Sequence, residues 1–341
     1  MRSVLFHGPG RVELIDRPSQ PLAAGEVRIK VDRSGICGSD VATWRGDWAT
    51  PNLPVVKGHE VCGTVTETGS GVDRVRVGQL VAVRPIGPCG DAACKHCGAG
   101  HYSLCKQFTM LGNTGSGGWA EEMVMAQAHA RPIPAGVPVD EAAFAEPIAV
   151  VCHAFNLAGS LQGARVAVLG AGILGLVAIQ VARARGASAV YATGRQDGKL
   201  ALARDLGADA VGDSRSQDVV RAGLDQGGPY DVVIDLIGSS EALDQGIHLS
   251  APSARIILVA GPHEKRLSFD YVAHREREVA VISSRIYGED FDDALEILGR
   301  RAVKTDRLIT HRVALADVES ALHEAVRNRS GVIKMLIQPN G

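Results

Sequence analysis

Arg165-Val-Ala-Val-Leu-Gly-Ala-Gly-Ile-Leu-Gly175 is the stretch on which the fold turns. Val166, Val168 and Leu169 form a short β-branched and apolar run, the pattern of a strand buried on both faces. The run ends in Gly170, Gly172 and Gly175, spaced G-x-G-x-x-G, so strand, tight turn and helix start follow directly. Gly170 permits the turn, Gly172 leaves room for a pyrophosphate against the backbone, and Gly175 lets the helix pack close to the strand. The free N–H groups and positive end of that helix, which opens with Ile173 and Leu174, then face the phosphates.

Outward from this turn the pattern repeats. Residues 176–185 are apolar on several helical turns and stop at Gly186, a good C-terminal cap, and 189–193 reads as a second strand. Helical stretches near 199–206, 216–224 and 240–249 alternate with strand-like runs at 231–236, 255–260 and 279–283. Alternation of this kind predicts βαβ units on a doubly wound parallel sheet, a Rossmann dinucleotide-binding domain over residues 149–284.

The end of the second strand bears on which dinucleotide. An acidic residue about 20 positions past the glycines normally accepts hydrogen bonds from the adenosine ribose of NAD. Here Gly194 stands nineteen residues after Gly175, followed by Arg195. Glycine makes space for a 2′-phosphate, a guanidinium clamps it, and Lys199 adds charge, so NADP is expected over NAD. The competing reading leaves Arg195 in solvent and gives the NAD role to Asp197.

At 341 residues the chain has room for about two domains. With 36 basic against 38 acidic residues and a pI near 6.6, charge gives no reason to expect nucleic acid or an anionic membrane as partner. Residues 1–14 lack a signal-peptide layout and no apolar run approaches a membrane span, so a cytoplasmic protein is expected. Seven cysteines crowd into positions 37 to 152, an odd number that points to metal ligation rather than disulfides.

Residues 1–83 read as an all-β lobe, with short strand-like pieces at 4–6, 12–15, 26–34, 61–67 and 79–83 punctuated by glycine and proline. Gly-Ile-Cys-Gly-Ser-Asp at 35–40 interrupts it, and Gly58-His59-Glu60 precedes a strand that carries Gly63, Gly69 and Val72. Thiolate, imidazole and carboxylate are ordinary zinc ligands, and a catalytic zinc keeps three of them with one open position. Cys37 and His59 supply two; the third is Glu60 or Glu146, both kept as candidates. Cys89, Cys94, Cys97 and Cys105, spaced C-x4-C-x2-C-x7-C, predict a closed four-thiolate zinc site.

These motifs in this order resemble the zinc-dependent medium-chain alcohol dehydrogenases. The likeness extends from Cys37 through Gly58-His59-Glu60, Gly63, Gly69 and Val72 and the 170–175 turn to Leu308-Ile309-Thr310-His311 and Val318-Glu319-Ser320-Ala321. It implies an α/β chain with a GroES-like β-rich catalytic domain over 1–148 and 285–341, joined by a helix near 149–158 to the Rossmann domain. It also implies a homodimer or homotetramer acting on a small-molecule alcohol or ketone, with catalytic and structural zinc. Glu146-Pro147 resembles the sorbitol and threonine dehydrogenase branch, which points to polyols, sugar derivatives or amino alcohols. The family's structural lobe is spaced C-x2-C-x2-C-x7-C; here the first interval is longer and Asp91 stands where the first cysteine would be, so Cys89 is favoured and Asp91 is the alternative.

The reaction implied is reversible hydride transfer between an alcohol carbon and nicotinamide, zinc polarising the oxygen and Ser39 accepting the hydroxyl proton. The family often places a histidine three residues after this serine, where Ala42 stands, so the proton leaves by water or Thr43. Trp44, Trp48 and Tyr287 are candidate pocket residues, each equally suited to a core. Sorbitol enzymes often carry arginine immediately before the equivalent of Tyr287; Ile286 stands there with Arg285 before it, which argues against sorbitol itself. Two other readings share some of these residues: a zinc-free NADPH-dependent enone reductase, which needs neither Cys37 nor His59-Glu60, and a non-enzymatic NADPH-sensing zinc protein.

Overall fold

The computed structural model of the chain describes residues 1–261 and 264–341. It falls into two compact units, one of Met1–Pro147, Phe291–Arg301 and Thr305–Gly341, the other of Ile148–Asp290 and Ala302–Lys304.

In the first unit the long strand Glu26–Ile36 is central. Val27, Ile29 and Val31 alternate inward along it and join Val61, Val65, Val81, Val83, Met123 and Met125 in one apolar core. Among the described residues the sheet runs in the order Ile309–Ala314, Lys334–Gln338, Glu26–Ile36, Glu60–Thr68, Leu80–Val83, Ala130–Pro132, and Glu122–Ala126 also pairs with the central strand. The last strand, Lys334–Gln338, lies antiparallel to the central one with Met335 opposite Ile36, which brings the end of the chain beside its first third. A smaller sheet of Arg11–Asp16, Arg2–Gly8 and Val55–Val56 includes a two-residue strand that periodicity is too short to reveal.

The second unit is the predicted doubly wound sheet. Six parallel strands stand in the order Ala210–Asp213, Ala189–Gly194, Arg165–Leu169, Tyr230–Asp235, Ser250–Leu258, Ala280–Ser283, among the described residues. The fingerprint strand is central: Val166 pairs with Val190 on one side and Val232 on the other, and Val166 through Leu169 are buried. Strand order reverses there, and in such sheets ligands bind at that point, beyond the carboxyl ends of the strands.

One element departs from expectation. The helix predicted from 149 begins at Ala145 and runs to Ala158. Proline lacks only an N–H that the first helical turn leaves unbonded anyway, so Pro147 is accommodated and Glu146 stands on the helix rather than before it.

Candidate metal centre and nucleotide turn

Cys37 follows the central strand directly and occupies the N-cap position of the helix Gly38–Arg45. Asp40, in the first turn, accepts the Cys37 N–H through Oδ2 at 3.0 Å, which fixes how the chain leaves the strand. His59 and Glu60 open the neighbouring strand, and antiparallel register puts Glu60 opposite Gly35. A Cβ at position 35 would lie 1.9 Å from Glu60 Oε2, so glycine there is what gives the carboxylate its place. The outcome is a cluster in which one ligand atom each from Cys37, His59 and Glu60 lie within 4.8 Å of one another.

The charges around this cluster are buried and interlocked. Lys334, 2% exposed, donates from Nζ to both oxygens of Glu60 at 2.8 and 2.6 Å and to the Ile36 carbonyl at 3.3 Å. Burial alone would lower the Lys334 ammonium, but the Glu60 carboxylate overrides it and holds the pKa above the ordinary lysine value. Asp40 Oδ1 lies 3.5 Å from Lys57 Nζ and 3.8 Å from His59 Nδ1, near enough for charge to act on both groups but without a hydrogen bond to the imidazole. Burial, and then the Glu60 carboxylate, push the Cys37 thiol up to about 12, chiefly against the pull of the Lys334 ammonium. Glu146 lies outside the 4.8 Å set yet feels it: burial raises its carboxyl to about 8, against the pull of His59. Lys334 offsets the Glu60 charge, and thiol, imidazole and carboxylate crowded together out of water remain a donor set that suits a divalent cation, zinc above all.

Cys89, Cys94, Cys97 and Cys105 form the second cluster, with Cys94 seated as N-cap of the short helix Lys95–Gly98. The Cys89–Cys97 and Cys94–Cys105 sulfur pairs are each 3.7 Å apart. A zinc–sulfur bond of about 2.3 Å implies a tetrahedral edge of about 3.8 Å, so four thiolates at this spacing fit one ion. Backbone N–H groups of Cys89 and Gln107 donate to the sulfurs of Cys97 and Cys105. The extra residues of the first interval are absorbed by a turn in which Asp91 Oδ1 accepts the Ala93 N–H at 2.8 Å, leaving Cys89 and not Asp91 in the cluster.

In the second unit Gly170 adopts φ +107°, and Gly172 is the N-cap of the helix Ile173–Ala184 with nothing within 4 Å of where its Cβ would stand. A Cβ on Gly175 would meet the Gly170 carbonyl oxygen at 2.0 Å, which is the close approach of helix to turn. The cradle is thus open over Gly172 and tight under Gly175, as a pyrophosphate site requires. Gly194 ends the second strand and Arg195 is exposed just beyond it; Lys199 is half-buried on the helix Asp197–Asp205. Asp197, the residue that would serve NAD, is paired with Arg215 Nη2 at 2.5 Å.

Of the candidate pocket aromatics, Trp44 is buried in the core with its ring edge-on to the exposed His323, Tyr287 is fully buried and Trp48 is 40% exposed. Sequence reasoning did not find Lys334, Gly35 or Arg215. Only Lys334 carried a local signal, a lone cation in the apolar run Lys-Met-Leu-Ile.

Among the described residues no helix is long and apolar enough to cross a membrane. Residues 23–135 match the alcohol dehydrogenase GroES-like domain, and residues 174–300 match the zinc-binding dehydrogenase domain. The sorbitol dehydrogenase of Halalkalibacterium halodurans is 31% identical over 339 residues, 98% of this chain and 97% of the relative. A protein of Sinorhizobium meliloti 1021 solved with NADP shares 30% identity and a TM-score of 0.91, covering 99% of both chains. An Escherichia coli alcohol dehydrogenase, RspB, solved with NADH shares 29% identity and a TM-score of 0.93, again over 99% of each. With a GroES-like β lobe, a Rossmann sheet, two ligand clusters suited to zinc and relatives along its whole length, the chain belongs to the zinc-dependent medium-chain alcohol dehydrogenases, in their sorbitol dehydrogenase-like branch.

Proposed function

We propose that this dehydrogenase prefers NADP(H) and acts on a hydroxyl-rich alcohol, a polyol, sugar derivative or amino alcohol, or on the corresponding ketone. The cofactor reading is carried by one observation: the second strand ends in glycine, followed by an exposed arginine with no protein partner among the described residues, and the nearby Asp197 is engaged elsewhere. A 2′-phosphate supplies what that arginine lacks.

Cys37, His59 and Glu60 would hold the catalytic ion, with Glu146, on the helix Ala145–Ala158, electrostatically coupled to all three, and Cys89, Cys94, Cys97 and Cys105 would hold the second. Zinc held there would supply Lewis acidity toward the substrate oxygen, and a nicotinamide would supply the hydride acceptor or donor. Asp40 fixes the backbone at Cys37 by accepting its N–H. Ser39 takes the hydroxyl proton and, with Ala42 in place of a relay histidine, passes it to water. The substrate class rests on Glu146-Pro147 and on the sorbitol dehydrogenase relative.

Initial rates with NADP and NAD in parallel, across polyols, sugars, amino alcohols and simple secondary alcohols, test this on protein of measured zinc content. Turnover of a hydroxyl-rich substrate with NADP preferred is the expected result. Equal or better rates with NAD, or activity confined to simple alcohols, would overturn the corresponding half. Arg195→Ala should weaken NADP about tenfold while NAD changes less than about twofold.

A further inference from the structure

We infer that Arg215, beyond the end of the third strand, decides cofactor preference by cancelling two carboxylates that would otherwise repel a 2′-phosphate. The inference rests on placing the adenosine end of the cofactor at Gly194 and Arg195.

Parallel register sets Gly194 beside Asp213, the last residue of the strand Ala210–Asp213. Ser214 ties the two strand ends together, its N–H and its hydroxyl both donating to the Gly194 carbonyl, at 2.9 and 3.2 Å. Asp213 and Asp197 therefore flank the position where an NAD enzyme carries its acidic residue. Arg215 reaches both. Its Nη2 donates to Asp197 Oδ1 at 2.5 Å and Asp213 Oδ2 at 2.7 Å, and its Nε donates to Asp213 Oδ1 at 2.9 Å. The Asp213 carboxyl is held well below the usual carboxylate range, first by the Arg215 side chain and then by the Arg215 N–H. With Arg215 in place this segment carries three cations, Arg195, Lys199 and Arg215, and two carboxylates, Asp197 and Asp213, and is net positive. Without it the charges balance, and a doubly charged phosphate would meet two carboxylates that have lost the guanidinium bonded to them. Arg195 alone then cannot give the preference.

The test uses zinc-loaded Arg215→Met. Its NADPH and NADH dissociation constants are read by nicotinamide fluorescence, and those for 2′,5′-ADP and 5′-AMP by calorimetry. NADPH and 2′,5′-ADP should weaken about five- to twentyfold, while NADH and 5′-AMP change less than about twofold. Adding Asp197→Asn and Asp213→Asn to that variant should restore most of the loss, because the amides keep the acceptors and remove the charge. An unchanged NADPH-to-NADH ratio in Arg215→Met overturns the inference. Failure of the triple variant to recover also overturns it, since Arg215 would then be acting on the phosphate directly. If the unaltered enzyme prefers NADH and Arg215→Met still raises the NADPH-to-NADH ratio of dissociation constants, the NADP reading fails and the role of Arg215 stands. If the unaltered enzyme prefers NADPH and the ratio does not move, only the role of Arg215 fails.

Discussion

Replacing Lys334 by methionine tests whether the Glu60 carboxylate depends on a cation reaching it from the far end of the chain. Both side chains are almost fully enclosed, at 2% and 3% exposure, and Nζ lies 2.8 and 2.6 Å from the two oxygens of Glu60. Methionine preserves the length of the stem and removes the charge. The carboxylate is then left in a low-dielectric site facing Cys37 and Glu146, neither of which compensates it. Breaking one side of a buried pair costs about 3–5 kcal/mol, whereas replacing both sides by neutral groups of similar size is close to neutral. At about 2–4 °C per kcal/mol for a unit of this size, the chelated variant should melt roughly 10 °C lower. Glu60→Gln added to Lys334→Met should return most of that, and a double-mutant cycle should give a coupling of at least about 2 kcal/mol. Zinc should narrow the gap between variant and parent, because a dication gives Glu60 the counter-charge it lost, so zinc affinity should not fall along with stability. The measurements are thermal melts with chelator and with added zinc, and zinc titration against a competing chelator. A chelated Lys334→Met melting within about 2 °C of the parent, or a double variant no more stable than the single one, would refute the assignment of Lys334 as the partner that makes a buried Glu60 tolerable.

Three further outcomes follow from the same coordinates. Gly35→Ala puts a methyl 1.9 Å from Glu60 Oε2, so the carboxylate must leave its place and turnover should fall more than about a hundredfold with the second unit still folded; kcat and NADPH binding separate the two, and near-normal kcat would dismiss the packing argument. Cys89→Ser should lower the zinc content from two ions to one per chain with catalytic-site zinc retained, while Asp91→Asn should keep both; elemental analysis of the two variants reads this directly. Asp290 accepts from His153, Asn156 and the Gly288 N–H, which hold its carboxyl well below the usual carboxylate range although burial opposes them. Because the folded pKa is depressed, its contribution is complete above the ordinary carboxylate value and is lost as pH falls through the folded one. Asp290→Asn should therefore be destabilising by about 1–2 kcal/mol at pH 7, with the difference closing below about pH 4; a gap that is constant over pH would contradict it.

The features that could be read from the sequence are those whose constraint lies among near neighbours. Gly170, Gly172 and Gly175 are required by a turn a few residues long, and Cys94 and Cys97 share one turn of chain, so spacing alone exposes them. The same holds for the sheet: five strands of the second unit are visible as short runs alternating with helical stretches, and the central pair, Arg165–Leu169 and Ala189–Gly194, write their burial into consecutive residues. What escaped is set by register between distant segments. Glu60 and Glu146 could not be ranked from the sequence, since what distinguishes them is that one stands opposite Gly35 across an antiparallel pair and the other on a helix that begins before its proline. Lys334 is 274 residues from the carboxylate it neutralises. It comes within reach only because the last strand pairs with the final residues of the central strand, Ser34 to Ile36, just before Cys37. Arg215 is hidden for the same reason, its partner Asp197 being brought near by parallel pairing of two strands and not by sequence. In both places the ligating or binding residue is recognisable alone, while the residue that sets its charge belongs to another segment. Local motifs therefore predict which chemistry the chain performs better than they predict its tuning, and the substitutions that separate one cofactor or metal affinity from another are to be sought at Lys334 and Arg215 rather than within the motifs.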